Sequence, residues 1–317
     1  MSEDEKKDFV KYALQKVHFY IESNFWSKLD NDSLNKWLNN FKTDNEKYCA
    51  AKLLDRFVYY SESDILRLLE YGFNELIFKR YASKAEIDSN FTIQNNDIIK
   101  LKDDFLSKCA ILPLATMNNP SESSFAITRY MTNDLGFSET KILNLNNLNS
   151  QYLQSIENLV IIDDFIGTGN QILDFWNYGQ VNVDGKPMYV NRLKDNFQNL
   201  EIEYLCLVCT EEGYNNFHAE NIMAGLRITY CEKLTTKFKV FGSSSIYFEK
   251  HEVDLCKETL EKLCAKNNID FLGYQGFDYA IAFHHSIPDT SLPLFFKQEA
   301  NWHPLFKNKK TVDNVII

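Results

Sequence analysis

The chain has 317 residues, 44% hydrophobic and 25% charged, with a formal net charge of −10. That length supports one large domain or two ordinary ones with a substantial core, and the composition is that of a folded soluble chain rather than a disordered one. The acidic balance disfavours broad, direct binding to nucleic acid, which needs clustered Lys and Arg against phosphates. No apolar run approaches the roughly 18 residues of a membrane span, so no membrane partner is expected. Met1 to Lys7 is charged and lacks the apolar centre of a signal peptide. The seven cysteines sit mostly in apolar contexts such as Leu205-Cys206-Leu207-Val208-Cys209. They read as buried thiols of a protein in a reducing cytoplasm.

Residues to about Lys84 read as helical throughout. Phe9, Ala13, Val17 and Tyr20 recur at spacings of three and four, as do Leu34, Trp37, Leu38 and Phe41. Asp30, Asp32 or Ser33 can start a second helix and Asp44 a third, which Asp55 to Tyr60 ends. A fourth starts at Ser61 to Ser63 and continues to Gly72. From about Asn96 the pattern alternates strand and helix. Cys109 to Leu114 reads as a first core strand, followed by a polar loop Thr116 to Ser124 and a helix Phe125 to Asn133. A short strand Lys141 to Leu143, a helix Ser150 to Ile156, a strand Glu201 to Thr210, a helix Gly213 to Gly225, a short strand Arg227 to Tyr230 and a helix Val253 to Lys266 follow. The expected fold class is α/β, a mostly parallel sheet flanked by helices, preceded by an all-helical domain. The expected domains are residues 1–90 and 91–317. The polar segment Asn177 to Asn199, with Gly179 and Gly185, is the candidate for a mobile excursion.

Asn158 to Ile172 carries the chemistry. Leu159-Val160-Ile161-Ile162 has the continuous apolar character of a buried parallel strand, and Asp163 and Asp164 are placed at its end. Gly167-Thr168-Gly169-Asn170-Gln171 is a short, donor-rich loop before a helix. Glycines let backbone N–H groups approach an anion, and the helix start adds its positive end. Amides for a phosphate beside carboxylates for hydroxyls suit a ribose 5-phosphate. The acidic strand of a P-loop NTPase is a second reading, but Gly-x-x-x-x-Gly-Lys-Ser/Thr occurs nowhere in the chain. A plain strand-to-helix turn whose acids cap the helix is a third.

The stretch resembles the 5-phosphoribosyl-1-pyrophosphate (PRPP) signature of type I phosphoribosyltransferases, matching at Asp163, Asp164, Thr168 and Gly169. Asn170 and Gln171 stand where Thr or Ser is common, and Gly167 stands where many base-using members carry a proton-moving Asp. The C-terminal part adds a glycine turn and strand, Gly273 to Phe283, and then His284-His285-Ser286-Ile287-Pro288-Asp289-Thr290-Ser291-Leu292-Pro293 and Trp302-His303-Pro304-Leu305-Phe306. Together these resemble the phosphoribosyltransferase-like (PRTase-CE) domain of bacterial conflict systems, over roughly Ile111 to Lys307, where glycine at the position of Gly167 is usual.

The resemblance implies Asp163 and Asp164 as catalytic residues that hold Mg²⁺ directly or through water, and Gly167, Thr168, Gly169, Asn170 and Gln171 as the phosphate site. It also implies a pyrophosphate loop after an earlier strand, with Asn118, Asn119, Ser121, Ser123, Ser124 and Arg129 as candidates. It further implies antiphage defence, as in the effector of a retron. The helical N-terminus would then meet a reverse transcriptase, its noncoding nucleic acid or another defence protein. Two readings stay open: an enzyme acting at the anomeric carbon, and a non-catalytic nucleotide or PRPP sensor. His284 and His285, adjacent at a strand end, read as ordinary surface histidines, and His303 as packed in the tail.

Overall fold

The computed structural model describes residues 2–114, 122–224 and 226–307. The chain forms two compact units, one from Met1–Ser63 with Thr235–Ile317 and one from Asp64–Leu234. This is not the division expected near residue 90. The N-terminal helices pack on one another and also find apolar partners beyond residue 235.

In chain order, α1 (Glu3–Glu22) starts at a capping box between Ser2 and Glu5, and α3 (Asp44–Asp55) at one between Thr43 and Glu46. Between them α2 (Asn31–Leu38) is capped by the Asp30 carboxylate on the Ser33 amide. These side chains satisfy amides that a helix start leaves unpaired. The third helix stops at Asp55, and the expected helical tail becomes a strand, β1 (Val58–Tyr60), paired in parallel with Ile281–Phe283. Then come α4 (Glu62–Tyr71), a π-helical stretch Gly72–Phe78, α5 (Lys79–Asp88) and α6 (Asn95–Ser107).

Next follow β2 (Cys109–Pro113), α7 (Glu122–Asn133), α8 (Ser150–Ser155), β3 (Asn158–Ile166) and α9 (Asn170–Tyr178). The strand expected at Lys141 to Leu143 reduces to a single parallel bridge, Ile142 to Ile111, after a 3₁₀ turn Glu139–Lys141. Asn177 to Asn199 is largely regular: β4 (Gln180–Val183) and β5 (Lys186–Tyr189) make a hairpin, and α10 (Leu193–Asn196) follows. The chain continues through β6 (Glu201–Thr210), α11 (Glu211–Ala224), β7 (Arg227–Leu234), α12 (Val253–Lys266) and β8 (Ile281–Phe283).

The Asp64–Leu234 unit is built on a four-stranded parallel sheet in the order β2-β3-β6-β7. Six consecutive residues of β3 are buried, as are the last seven of β6. Unbroken burial along a strand means both faces of the sheet are covered, the α/β arrangement expected. Leu159, Ile161, Tyr204 and Cys206 pack on one face with Ile172, Trp176 and Phe217.

The other unit has an aromatic core. Trp37 stacks on Phe295 at 5.6 Å, and Phe41 meets Trp302 edge-on at 5.6 Å. One carbonyl, that of Leu294, accepts from both indoles, Trp37 Nε1 at 2.9 Å and Trp302 Nε1 at 3.0 Å. The Asn40 amide clamps the tail both ways: Nδ2 donates to the His303 carbonyl and Oδ1 accepts from the His303 amide. His303 is therefore held by its backbone; its side chain is exposed, not packed as expected. A buried carboxylate, Glu252, accepts from Tyr48 Oη at 2.5 Å and pairs with Lys52 Nζ at 3.1 Å. His284 and His285 are half-buried rather than at the surface, and His284 Nδ1 lies 2.8 Å from Ser27 Oγ. All seven cysteines are free thiols, six of them buried. Among the described residues no helix is long and apolar enough to cross a membrane.

Candidate functional site

The site follows from strand order. After β2 the chain moves out to Ile142 on one side of that strand, then returns to place β3 on the other side. The direction of winding therefore reverses between β2 and β3. In open parallel sheets, ligands gather at the carboxyl ends of the strands beside such a reversal. β2 leaves the sheet at Pro113, opposite Ile162, whereas β3 runs on beside β6 until Ile166 faces Cys209.

Asp163 and Asp164 thus lie inside β3, one and two residues past its last pairing with β2, and not at the strand's end as the sequence suggested. Both are buried, 2% and 4% exposed. Asp163 is held from two sides, Oδ1 accepting from the Asp164 amide at 3.0 Å and Oδ2 from the Tyr204 hydroxyl at a long 3.4 Å. Burial pushes the Asp163 carboxyl well above the usual carboxylate range. The charge of Asp164 and a hydrogen bond between the two carboxyls add to the shift. Two adjacent buried carboxylates repel when both are charged, so burial and the neighbouring Asp164 both favour the protonated form of Asp163.

The loop after β3 turns sharply. Gly169 has φ +85°, a left-handed conformation that side chains avoid, and it is the residue from which α9 starts. Thr168 is buried and its Oγ1 accepts from the Asn170 amide at 3.2 Å; Asn170 and Gln171 stand exposed in the first helical turn. The positive end of α9 faces this turn, where an anion is favoured.

The pyrophosphate candidates divide. Asn118, Asn119 and Ser121 lie outside the described residues. Ser123 and Ser124 belong to α7, which starts earlier than the sequence suggested. Ser124 is fully buried and donates to the Leu114 carbonyl at 2.8 Å, so it braces the exit from β2. Arg129 is exposed on the same helix.

Sequence reasoning missed the contributions of β6 and α11. Thr210 Oγ1 donates to the Gly167 carbonyl at 2.6 Å and accepts from the Gly213 amide at 2.9 Å, and Tyr204 reaches Asp163. A signal for Thr210 was present, since a Thr followed by two acids is a helix-start signature.

A metal has a limited donor set here. Among the described residues no group of three or more His, Cys, Asp or Glu gathers as a cage. Mg²⁺ does not require one: it binds through one or two carboxylates, water and substrate phosphates. Asp163 and Asp164 are the carboxylates at this point of the strand.

A buried acid pair, a glycine loop and a helix start at a winding reversal define a phosphoribosyltransferase-like α/β protein. Residues 34–308 match the PRTase-CE family, and the chain belongs to that family. Among solved structures it is similar to orotate phosphoribosyltransferase from Aeropyrum pernix at 16% identity and a TM-score of 0.24. That likeness covers 41% of this chain and 62% of the enzyme's, less than two thirds of its length. No curated protein matches the chain.

Proposed function

We propose that the protein binds PRPP or a related ribose phosphate through Gly167 to Gln171 and acts at the anomeric carbon. The observation that carries this reading is the left-handed turn at Gly169 leading into α9 directly after the buried pair Asp163–Asp164. Loop amides and the helix start hold the 5-phosphate. Asp164 accepts from ribose hydroxyls and sets negative charge beside the sugar as the bond from its anomeric carbon to the leaving oxygen breaks. Asp163 holds Asp164 in place. Bound Mg²⁺, taken by Asp164 with phosphate oxygens and water, would neutralise charge on the leaving pyrophosphate. The resemblance to conflict-system domains supports a role in antiphage defence, with a reverse transcriptase, its nucleic acid or another defence protein as partner.

The test is calorimetric titration with PRPP, with and without Mg²⁺, on the wild type and Asp164→Asn. Mg²⁺-dependent binding that the substitution lowers at least about tenfold is expected, the scale of a lost hydrogen bond to a charged group. No binding to the wild type removes the reading. Gly167, which has no side chain to move a proton on a nucleobase, favours a second reading, a sensor that binds without reacting. Binding with no pyrophosphate release in the presence of nucleobases, nucleotides or water would select it.

A further inference from the structure

We infer that Thr210, at the carboxyl end of β6, is a positioning residue that aims the loop's backbone amide at the phosphate; the inference rests on the phosphoribosyl reading above. Thr210 is fully buried, and its hydroxyl has both of its hydrogen-bonding roles filled. It donates to the Gly167 carbonyl and accepts from the Gly213 amide. A trans peptide holds its C=O and N–H in one plane on opposite sides, and the described residues include no cis peptide. Drawing the Gly167 carbonyl towards the turn between β6 and α11 therefore turns the Thr168 N–H the other way, out of that turn.

The packing around this bond leaves the peptide one place to be. A Cβ on Gly213 would stand 2.1 Å from the Gly167 carbonyl oxygen, and one on Gly169 would stand 3.0 Å from the Gly213 carbonyl. The two loops touch backbone to backbone, with Thr210 as the hydroxyl between them. Both bonds are made wholly within the protein, so the direction of the amide is set by the fold itself. Such pre-organisation lowers the entropic cost of binding.

The experiment compares Thr210→Val, Thr210→Ser and Thr210→Cys in the full chain. Ribose 5-phosphate is the calorimetric probe, and melting temperature is measured alongside. Val keeps the shape and loses the hydroxyl; Ser keeps the hydroxyl and loses a methyl. Thr210→Val should weaken ribose 5-phosphate binding by about tenfold, while Thr210→Ser stays within about twofold of wild type although it packs less well. Affinity would then follow the hydroxyl and not the melting temperature. If Thr210→Val does not fold, the nearly isosteric Ser and Cys variants carry the same comparison, with Cys expected to bind more weakly.

Thr210→Val binding as tightly as wild type, or Thr210→Ser binding as weakly as Thr210→Val, overturns the inference and leaves the phosphoribosyl reading standing. A wild type that binds no ribose 5-phosphate removes both.

Discussion

The two compact units are stabilised in opposite ways. The Asp64–Leu234 unit is continuous in sequence and builds its core from aliphatic strands in register, with thiols at Cys206 and Cys209. The other unit is assembled from the two ends of the chain around Trp26, Trp37, Phe41, Phe57, Phe295, Trp302 and Phe306. The first holds a polar constellation, the acid pair and the turn at Gly167, inside an otherwise apolar sheet. The second spends its buried polar groups on joining distant segments, as the Leu294 carbonyl and Asn40 show. Buried polarity gathers at the candidate site in one unit and joins distant segments in the other.

The largest test of this contrast is Trp37→Ala. It removes a fully buried indole, its stack on Phe295 and one donor to the Leu294 carbonyl. A loss of about 4 kcal/mol in stability is expected, read by denaturant unfolding. Hydrogen exchange should rise in residues 2–63 and 235–307 first. Uniform exchange across the chain would show that the contrast has no energetic meaning.

Gly213→Ala is next. Its new Cβ must displace the Gly167 backbone, with an expected cost of about 2 kcal/mol and weakened ribose phosphate binding. Full binding with an unchanged melting temperature would show that the two loops have room.

Asp163→Asn should act in the opposite direction on stability. A carboxyl whose folded pKa is raised contributes stability that is fully present below its unfolded value, about 3.9. That contribution is lost as pH rises through the raised folded value. The neutral amide escapes this loss, so the variant should melt above wild type near pH 7 and converge with it towards pH 4. Catalysis or Mg²⁺-dependent binding should fall at the same time, the usual trade where a strained polar group serves function. A variant less stable than wild type at every pH would show that the pair is held by more than one shared proton. Smallest of all, Lys36→Ala in the exposed pair with Asp32 should change stability by less than about 0.5 kcal/mol.

The sequence made the site legible because its signals are local. A β-branched run, two acids and a glycine-bounded loop lie within fifteen residues of one another. Each part dictates its own backbone, and the strand, turn and helix came out in that order. The acids' depth was not legible, since it depends on β6 continuing past the end of β2. Nor was the strand Val58–Tyr60, whose three residues are too few to show a period of two and whose partner lies more than two hundred residues away. Thr210 carried a helix-start signal, yet its bond to Gly167 depends on two loops meeting in space. The seam between the chain's ends escaped for the same reason: aromatic spacing marks a buried face without naming what covers it.

A core made from both ends of a chain also sets an order of events during synthesis. Asp64–Leu234 emerges as one contiguous stretch and can close its sheet while translation continues. The N-terminal helices cannot finish until residues beyond 235 leave the ribosome, on the order of ten seconds or more later at typical elongation rates. Throughout that interval Trp37, Phe41 and Phe57 lack the Phe295, Trp302 and Phe306 rings they pack on. A nascent or truncated chain is therefore most prone to aggregate, and most in need of a chaperone, at its N-terminus.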